Sequence, residues 1–256
     1  MPLSKKVVVD ILTTVLTNDR TRTFIQSPAF WPIAVKGGFE CTLRDFILYD
    51  LQSALTEKFS RKSYICTGER SWGGRSLRGD ILLFDKRQIN GRGNISTPLA
   101  EVELKVNFGG QVDKAKRGDN KNYPTRSIAT LKKIIGAKRK RKTKKVKSNA
   151  KRIIGIKKRR AKAVFVAVQF IHQLYDCNPI DASLALRYSE YRNDRADERE
   201  PAQRFADLIE RKHEEISSAG YGAREIAKYQ LADEDGASGE MIALASWAKR
   251  RKRKKG

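Results

Sequence analysis

Residues 99–107 read Leu99-Ala100-Glu101-Val102-Glu103-Leu104-Lys105-Val106-Asn107. Ala100, Val102, Leu104 and Val106 alternate with Glu101, Glu103, Lys105 and Asn107, the period-two pattern of a strand with one apolar and one polar face. Glu103 and Lys105 therefore project from the same side. Upstream, Asp80-Ile81-Leu82-Leu83-Phe84-Asp85 is a second apolar strand that opens on a carboxylate, and Asn90-Gly91-Arg92-Gly93-Asn94 supplies turn chemistry between the two. An Asp, a Glu and a Lys at the ends of neighbouring strands are the residue types of a divalent-cation site beside a fixed positive charge.

Working outward, apolar residues at 39, 43, 46, 47, 51, 54 and 55 predict a helix over 39–59. Lys62 to Thr67 reads as a short strand, followed by a loop over Ser71-Trp72-Gly73-Gly74-Arg75. Trp31-Pro32 and Lys36-Gly37-Gly38 mark a loop before the helix. Residues 5–17 are compatible with a helix or a strand, because β-branching does not decide between them. Ser127 to Ile135 reads as a helix with Ser127 as N-cap. Ala163 to Ile171 is a nearly all-apolar run of strand length, suited to the centre of a mixed sheet. Pro201–Ser217 and Tyr221–Leu231 read as helices, and Met241–Lys249 as a last helical turn or two.

The chain has 256 residues and a formal net charge of +25. That charge is not spread evenly. Between Lys132 and Lys162 there are 17 Lys or Arg, and Lys249 to Lys255 adds 7; the other 30 basic residues face 29 acidic ones. From Asn120 to Tyr175 there is no Asp or Glu. Such blocks call for a polyanion, and nucleic acid is the predicted partner through counterion release at its phosphates. Without aromatic residues, they should grip backbone rather than stack on bases. Lys138, Arg139, Lys140, Arg141, Lys142, Lys144, Lys145, Arg250, Arg251, Lys252 and Arg253 are the predicted contacts, together with Arg75 and Arg78 ahead of Asp80. A solvated basic face or a nuclear-import signal is the plainer reading of the same residues.

Several function classes are disfavoured. No run of eighteen apolar residues predicts a membrane-spanning helix, and the N-terminus lacks the features of a secretory signal. The expected location is cytoplasmic and nucleoid-associated, or nuclear in a eukaryotic host. Cys41, Cys66 and Cys177 are odd in number and too far apart for zinc-ligand spacing. The two histidines, His172 and His213, do not suit zinc-dependent or histidine-metal chemistry, and no phosphate-binding loop of the nucleotide hydrolases occurs.

With the order helix, strand, strand, turn, strand, helix, strand, the chain resembles the PD-(D/E)XK superfamily of restriction-endonuclease-like nucleases over roughly residues 36–172. Asp80 in Arg78-Gly79-Asp80-Ile81-Leu82-Leu83 matches the family's first acidic position, and Glu103-Leu104-Lys105 its Glu-x-Lys. Glu40, in Gly37-Gly38-Phe39-Glu40, matches the acidic residue that many members carry on the first core helix; Asp45 and Asp50 are alternatives. Gly79 stands where the family name has proline, and the basic insertion is foreign to the minimal fold.

The resemblance implies an α/β fold, a restriction-endonuclease-like core with a central mixed four- to five-stranded sheet flanked by helices, to which the sequence adds a C-terminal helical extension. The expected organisation is an N-terminal segment 1–35, a nuclease core 36–175 with the basic insertion 132–162, a helical extension 176–248 and a basic tail 249–256. The resemblance further implies an Mg²⁺-dependent endonuclease, with Mn²⁺ as substitute, in which Asp80, Glu103, Glu40 and the backbone carbonyl of Leu104 hold the metal and Lys105 assists the attacking water. Its expected substrate is DNA rather than RNA, with a homodimer or a recognition partner left open. The competing reading is a non-catalytic nucleic-acid-binding or ribonucleoprotein assembly protein in which these carboxylates serve only structure.

Overall fold

The computed structural model describes residues 3–27, 30, 39–59, 64–71, 78–86, 98–108, 164–176, 200–232 and 238–248. Residues 5–17 form helix α1 (Lys5–Thr17). The Ser4 hydroxyl caps it by accepting the Val7 N–H at 3.3 Å, and Val8, Ile11, Leu12, Val15 and Leu16 put a buried stripe on one side. Asn18 ends α1 and caps α2 (Asp19–Ile25), accepting the Thr21 N–H at 2.7 Å. Helix α3 (Phe39–Lys58) follows the spacing read from the sequence, with Leu43, Ile47, Leu51 and Leu55 buried.

Six strands and one more helix complete the described chain: β1 (Tyr64–Ser71), β2 (Arg78–Asp85), β3 (Ala100–Phe108), β4 (Val164–Asp176), α4 (Pro201–Ser218), β5 (Tyr221–Ala232) and β6 (Ser238–Ala248). They build one mixed sheet in the order β1-β2-β3-β4-β6-β5. Only β3 and β4 run parallel; every other neighbouring pair is antiparallel. Helices α1 and α3 pack on one face, against Ile81, Leu83, Val102, Leu104, Val166, Val168 and Phe170. Helix α4 covers the other, setting Phe205, Leu208 and Ile209 on Ile171 and Ile242, and Ile216 on Phe165, Ala167 and Leu244. The fold is therefore α/β with helices on both sides of a mixed sheet. Burial on both faces explains why 163–171 reads as an unbroken apolar run.

Two expectations need correction. The sheet has six strands rather than four or five, and the helical extension expected over 176–248 is not one: among its described residues only Pro201–Ser218 is helical, while 221–231 and 241–249, read as helices, supply β5 and β6. The reason lies in the ladder. A register shift between Glu225 and Ala227 moves the period-two pattern by one residue, so Tyr221, Ile226, Ala227, Tyr229 and Leu231 are buried at spacings that imitate a helix. Strand β6 is buried on both faces, so Met241, Ile242, Ala243, Leu244 and Ala245 show no alternation, and the helix propensity of its alanines is overridden by tertiary contacts. The helix expected over 127–135, the turn at 90–94, the loops at 31–32, 36–38 and 72–75, the basic insertion 132–162 and the tail 249–256 lie outside the described residues.

Pairing of β5 with β6 depends on one missing side chain. Gly222 lies opposite Trp247, and a Cβ at Gly222 would come 2.5 Å from the indole ring. Gly222→Ala is expected to destabilise the fold by about 1–3 kcal/mol through overpacking; an unchanged denaturation midpoint would show that the ring moves aside freely.

Candidate functional site

Strands β2 and β3 hold together at only three positions, Leu83 with Ala100, Leu82 with Glu101 and Ile81 with Val102. One step further the ladder stops. There Asp80 substitutes a side chain for the missing backbone partner: its Oδ2 accepts the Leu104 N–H at 2.7 Å. In an extended strand the N–H and C=O of one residue leave by the same edge, so the Leu104 carbonyl is carried toward the same gap.

That gap brings together groups from both faces of the sheet. Leu104 belongs to the face covered by α3, whereas Glu103 and Lys105 stand on the opposite side of β3. Glu40, in the first turn of α3, nevertheless meets Lys105, whose Nζ donates to Glu40 Oε1 at 2.8 Å. The same ammonium lies 3.6 Å from Glu103 Oε1 and 3.9 Å from Asp80 Oδ2. Asp80, Glu103, Lys105 and Glu40, separated by up to 65 positions in sequence, thus form one cluster around a single positive charge. Its members range from 17% to 37% exposed, enough for solvent or a ligand to reach them.

Electrostatics follow from that crowding. Burial pushes the Glu103 carboxyl up to about 7, with the neighbouring Asp80 charge adding to it and Lys105 opposing it. Burial also raises Asp80, against the Leu104 hydrogen bond and the Lys105 charge. For Lys105, burial favours the neutral amine, but the Glu40 hydrogen bond and the charges of Glu103, Glu40 and Asp80 together outweigh it and raise its pKa. Near neutral pH the lysine is charged and Glu103 is poised between its two states.

The donors are hard oxygens, which suits Mg²⁺ or Mn²⁺ in kind, and the ammonium shows three carboxylates converging on one cation. Their mutual spacing is another matter. Among the described residues no group of three or more His, Cys, Asp or Glu is arranged to hold a metal ion; the three carboxylates each approach the Lys105 Nζ, at 2.8, 3.6 and 3.9 Å.

Other residues fall into place around this cluster. Asp50 is buried and accepts from Asn18, Arg20 and Thr21 at 3.0, 2.5 and 3.3 Å, fastening α3 to the corner between α1 and α2. Asp45 is 65% exposed and pairs with Arg44. Both are thus engaged away from the cluster, leaving Glu40 as the α3 carboxylate in it. Glu101, which alternates onto the same side of β3 as Glu103, is 1% exposed; its charge adds to the upward push on Glu103.

Sequence reasoning passed over Arg44. It stands one helical turn beyond Glu40, and its charge draws the Asp80 pKa down. The i+4 spacing from Glu40 was the available signal.

His213 has Nε2 3.2 Å from the Ala223 carbonyl, with Glu214 and Glu215 exposed, so His213-Glu214-Glu215 forms an ordinary helix surface. Burial pushes His172 down to about 4, leaving it neutral. Cys41 and Cys66 are free thiols, and burial pushes Cys66 up to about 11, which makes it unreactive. Arg78 starts β2, but its side chain lies outside the described residues. So do Cys177, Arg75, Lys138, Arg139, Lys140, Arg141, Lys142, Lys144, Lys145, Arg250, Arg251, Lys252 and Arg253 in their entirety. No helix among the described residues is long and apolar enough to cross a membrane. Comparison with protein-family models, with curated proteins and with solved structures finds no match to this chain.

The raised Glu103 carboxyl carries a pH signature. Its folded value of about 7 lies above its ordinary 4.5, so the folded chain holds a proton that the unfolded chain has released. The stability from that proton is complete below about 4.5 and lost as pH rises through about 7. Without divalent cations, Glu103→Gln should melt a few degrees above wild type at pH 8 and close to it at pH 5. A difference that shrinks with rising pH would contradict the assignment.

Proposed function

We propose that this chain is a metal-dependent nuclease of the PD-(D/E)XK kind that hydrolyses phosphodiester bonds, with DNA as its substrate. The carrying observation is the gathering of Asp80, Glu103 and Glu40 around Lys105 where β2 and β3 part. The sequence order α3-β1-β2-β3-β4, with antiparallel pairing up to β3 and a parallel β3–β4 pair, supports a restriction-endonuclease-like core.

Asp80, Glu103 and the Leu104 carbonyl would hold Mg²⁺ or Mn²⁺, with Glu40 completing the set. When bound, such an ion supplies an acidified water and offsets charge on the phosphate. Lys105 then has two tasks. Its ammonium, held by Glu40, orients the attacking water and donates to the phosphate oxygen on which negative charge builds. Because Glu103 changes charge near pH 7, cation binding there competes with a proton, and affinity rises as pH passes through that value.

The basic segments fit the same reading by where they join the sheet. Val166 of β4 pairs with Trp247 of β6. The chain therefore enters β4 directly after the basic block 132–162 beside the point where it leaves β6 for the tail 249–255. Two polycationic segments attached at one end of neighbouring strands, about 5 Å apart, offer a single grip on a phosphate backbone.

The competing reading is a non-catalytic nucleic-acid-binding protein in which the three carboxylates serve only to pair with Lys105. Asp80→Ala separates the two. Loss of Mg²⁺- or Mn²⁺-dependent cleavage of duplex DNA by at least a hundredfold, with binding retained, supports the nuclease; a wild type that cuts no DNA or RNA leaves the binding protein. Deleting Lys249–Lys255 should weaken duplex binding and lower the slope of log affinity against log salt by up to about six, whereas an unchanged slope would remove the tail from the interface.

A further inference from the structure

On the face of the sheet that carries Glu103 and Lys105, strand β4 sets a buried amide beside the lysine. Gln169 pairs in register with Lys105. Paired residues of neighbouring strands stand on the same face, with backbones about 5 Å apart, so the carboxamide and the ammonium start from adjacent positions. The neighbours of Gln169 away from β3 are apolar: Ala167 and Ile171 along β4, and Leu244, its partner on β6. Helix α4 packs over these three, and Gln169 is 5% exposed. Among the described residues its carboxamide makes no hydrogen bond. A buried amide in that state is costly, and a partner would relieve it.

Lys105 has the complementary groups to spare. An ammonium carries three N–H donors, and among the described residues Glu40 alone takes one, at 2.8 Å. Glu103 at 3.6 Å and Asp80 at 3.9 Å attract its charge from beyond hydrogen-bonding distance. Unused donors and an unused acceptor therefore belong to two residues that the unbroken β3–β4 ladder holds side by side.

We propose that Gln169 is a positioning residue for Lys105: its Oε1 accepts a second hydrogen bond from the ammonium and so directs the remaining N–H toward the attacking water and the phosphate. The inference rests on the nuclease reading and deepens it by naming the group that aims the lysine. A carboxamide suits this task because it offers an acceptor without adding a further negative charge beside three carboxylates. Its burial fits a residue that acts through Lys105 and leaves the substrate to others.

The test uses the full chain and Gln169→Met, which keeps the length of the side chain, removes the carboxamide and suits the apolar surroundings. A cooperative melting transition establishes that the variant folds. In chains carrying isotope-labelled lysine, the Nζ resonance of Lys105, identified by its absence from Lys105→Met, should differ between wild type and Gln169→Met. In cleavage of duplex DNA with Mg²⁺, kcat should fall about tenfold while KM stays within about twofold, as expected when an interaction made in the transition state is lost and the grip on the strand is not. Coincident Lys105 resonances, both with and without Mg²⁺, overturn the proposal, and so does an unchanged kcat. A wild type that cuts no DNA or RNA, with the resonance still displaced in Gln169→Met, sinks the nuclease reading while supporting the contact. Should Gln169→Met fail to fold, Gln169→Leu, also apolar and of similar volume, is judged by the same outcomes.

Discussion

Everything distinctive in this fold turns on the ammonium of Lys105 in the gap where β2 leaves β3. Three carboxylates meet there, and two unit charges about 4 Å apart at an effective dielectric near 20 interact by about 4 kcal/mol. Lys105 is 37% exposed, so solvent lowers that figure, but the sign of the balance is clear: without a cation the carboxylates repel one another. The gap itself exists because Asp80 takes the Leu104 N–H that a continuing β2 backbone would have taken. A side chain has replaced a ladder bond, the strands separate, and residues from opposite faces of the sheet come into contact.

The surrounding architecture keeps that arrangement in place. Helix α3 is tied at its middle by Asp50 to the corner between α1 and α2, and by Leu43, Ile47, Leu51 and Leu55 to the sheet, which fixes where Glu40 and Arg44 stand. The parallel β3–β4 pair runs without a break from Ala100–Val164 to Phe108–His172 and so pairs the backbone of Glu103 and Lys105 with that of Ala167 and Gln169. Only the β2 side is open. The site therefore sits between a continuous ladder on the β4 side and the end of a short ladder on the β2 side.

Much of this was legible in the residues. Alternation along 99–107 and helical spacing along 39–59 marked two elements that carry the site, because each sets its apolar residues on one side and its polar ones on the other. The elements that misled are those for which that condition fails. A bulge shifted the pattern of β5, and double burial erased it in β6, so two strands read as helices. The burial of Glu101 was not legible, because alternation puts it on the same polar side of the strand as Glu103 and Lys105. Glu40 was foreseen as a member of the site only as a family correspondence, and its pairing with Lys105 was not foreseen, since their meeting depends on where the β2–β3 ladder ends.

A crystal structure of the chain grown with saturating Mn²⁺, with the anomalous signal used to locate the ion, tests the central claim most directly. The account predicts one manganese bonded to Asp80 and Glu103, with the Lys105 ammonium drawn away from both while still held by Glu40. No anomalous peak at these residues, with Lys105 still among the three carboxylates, would contradict it.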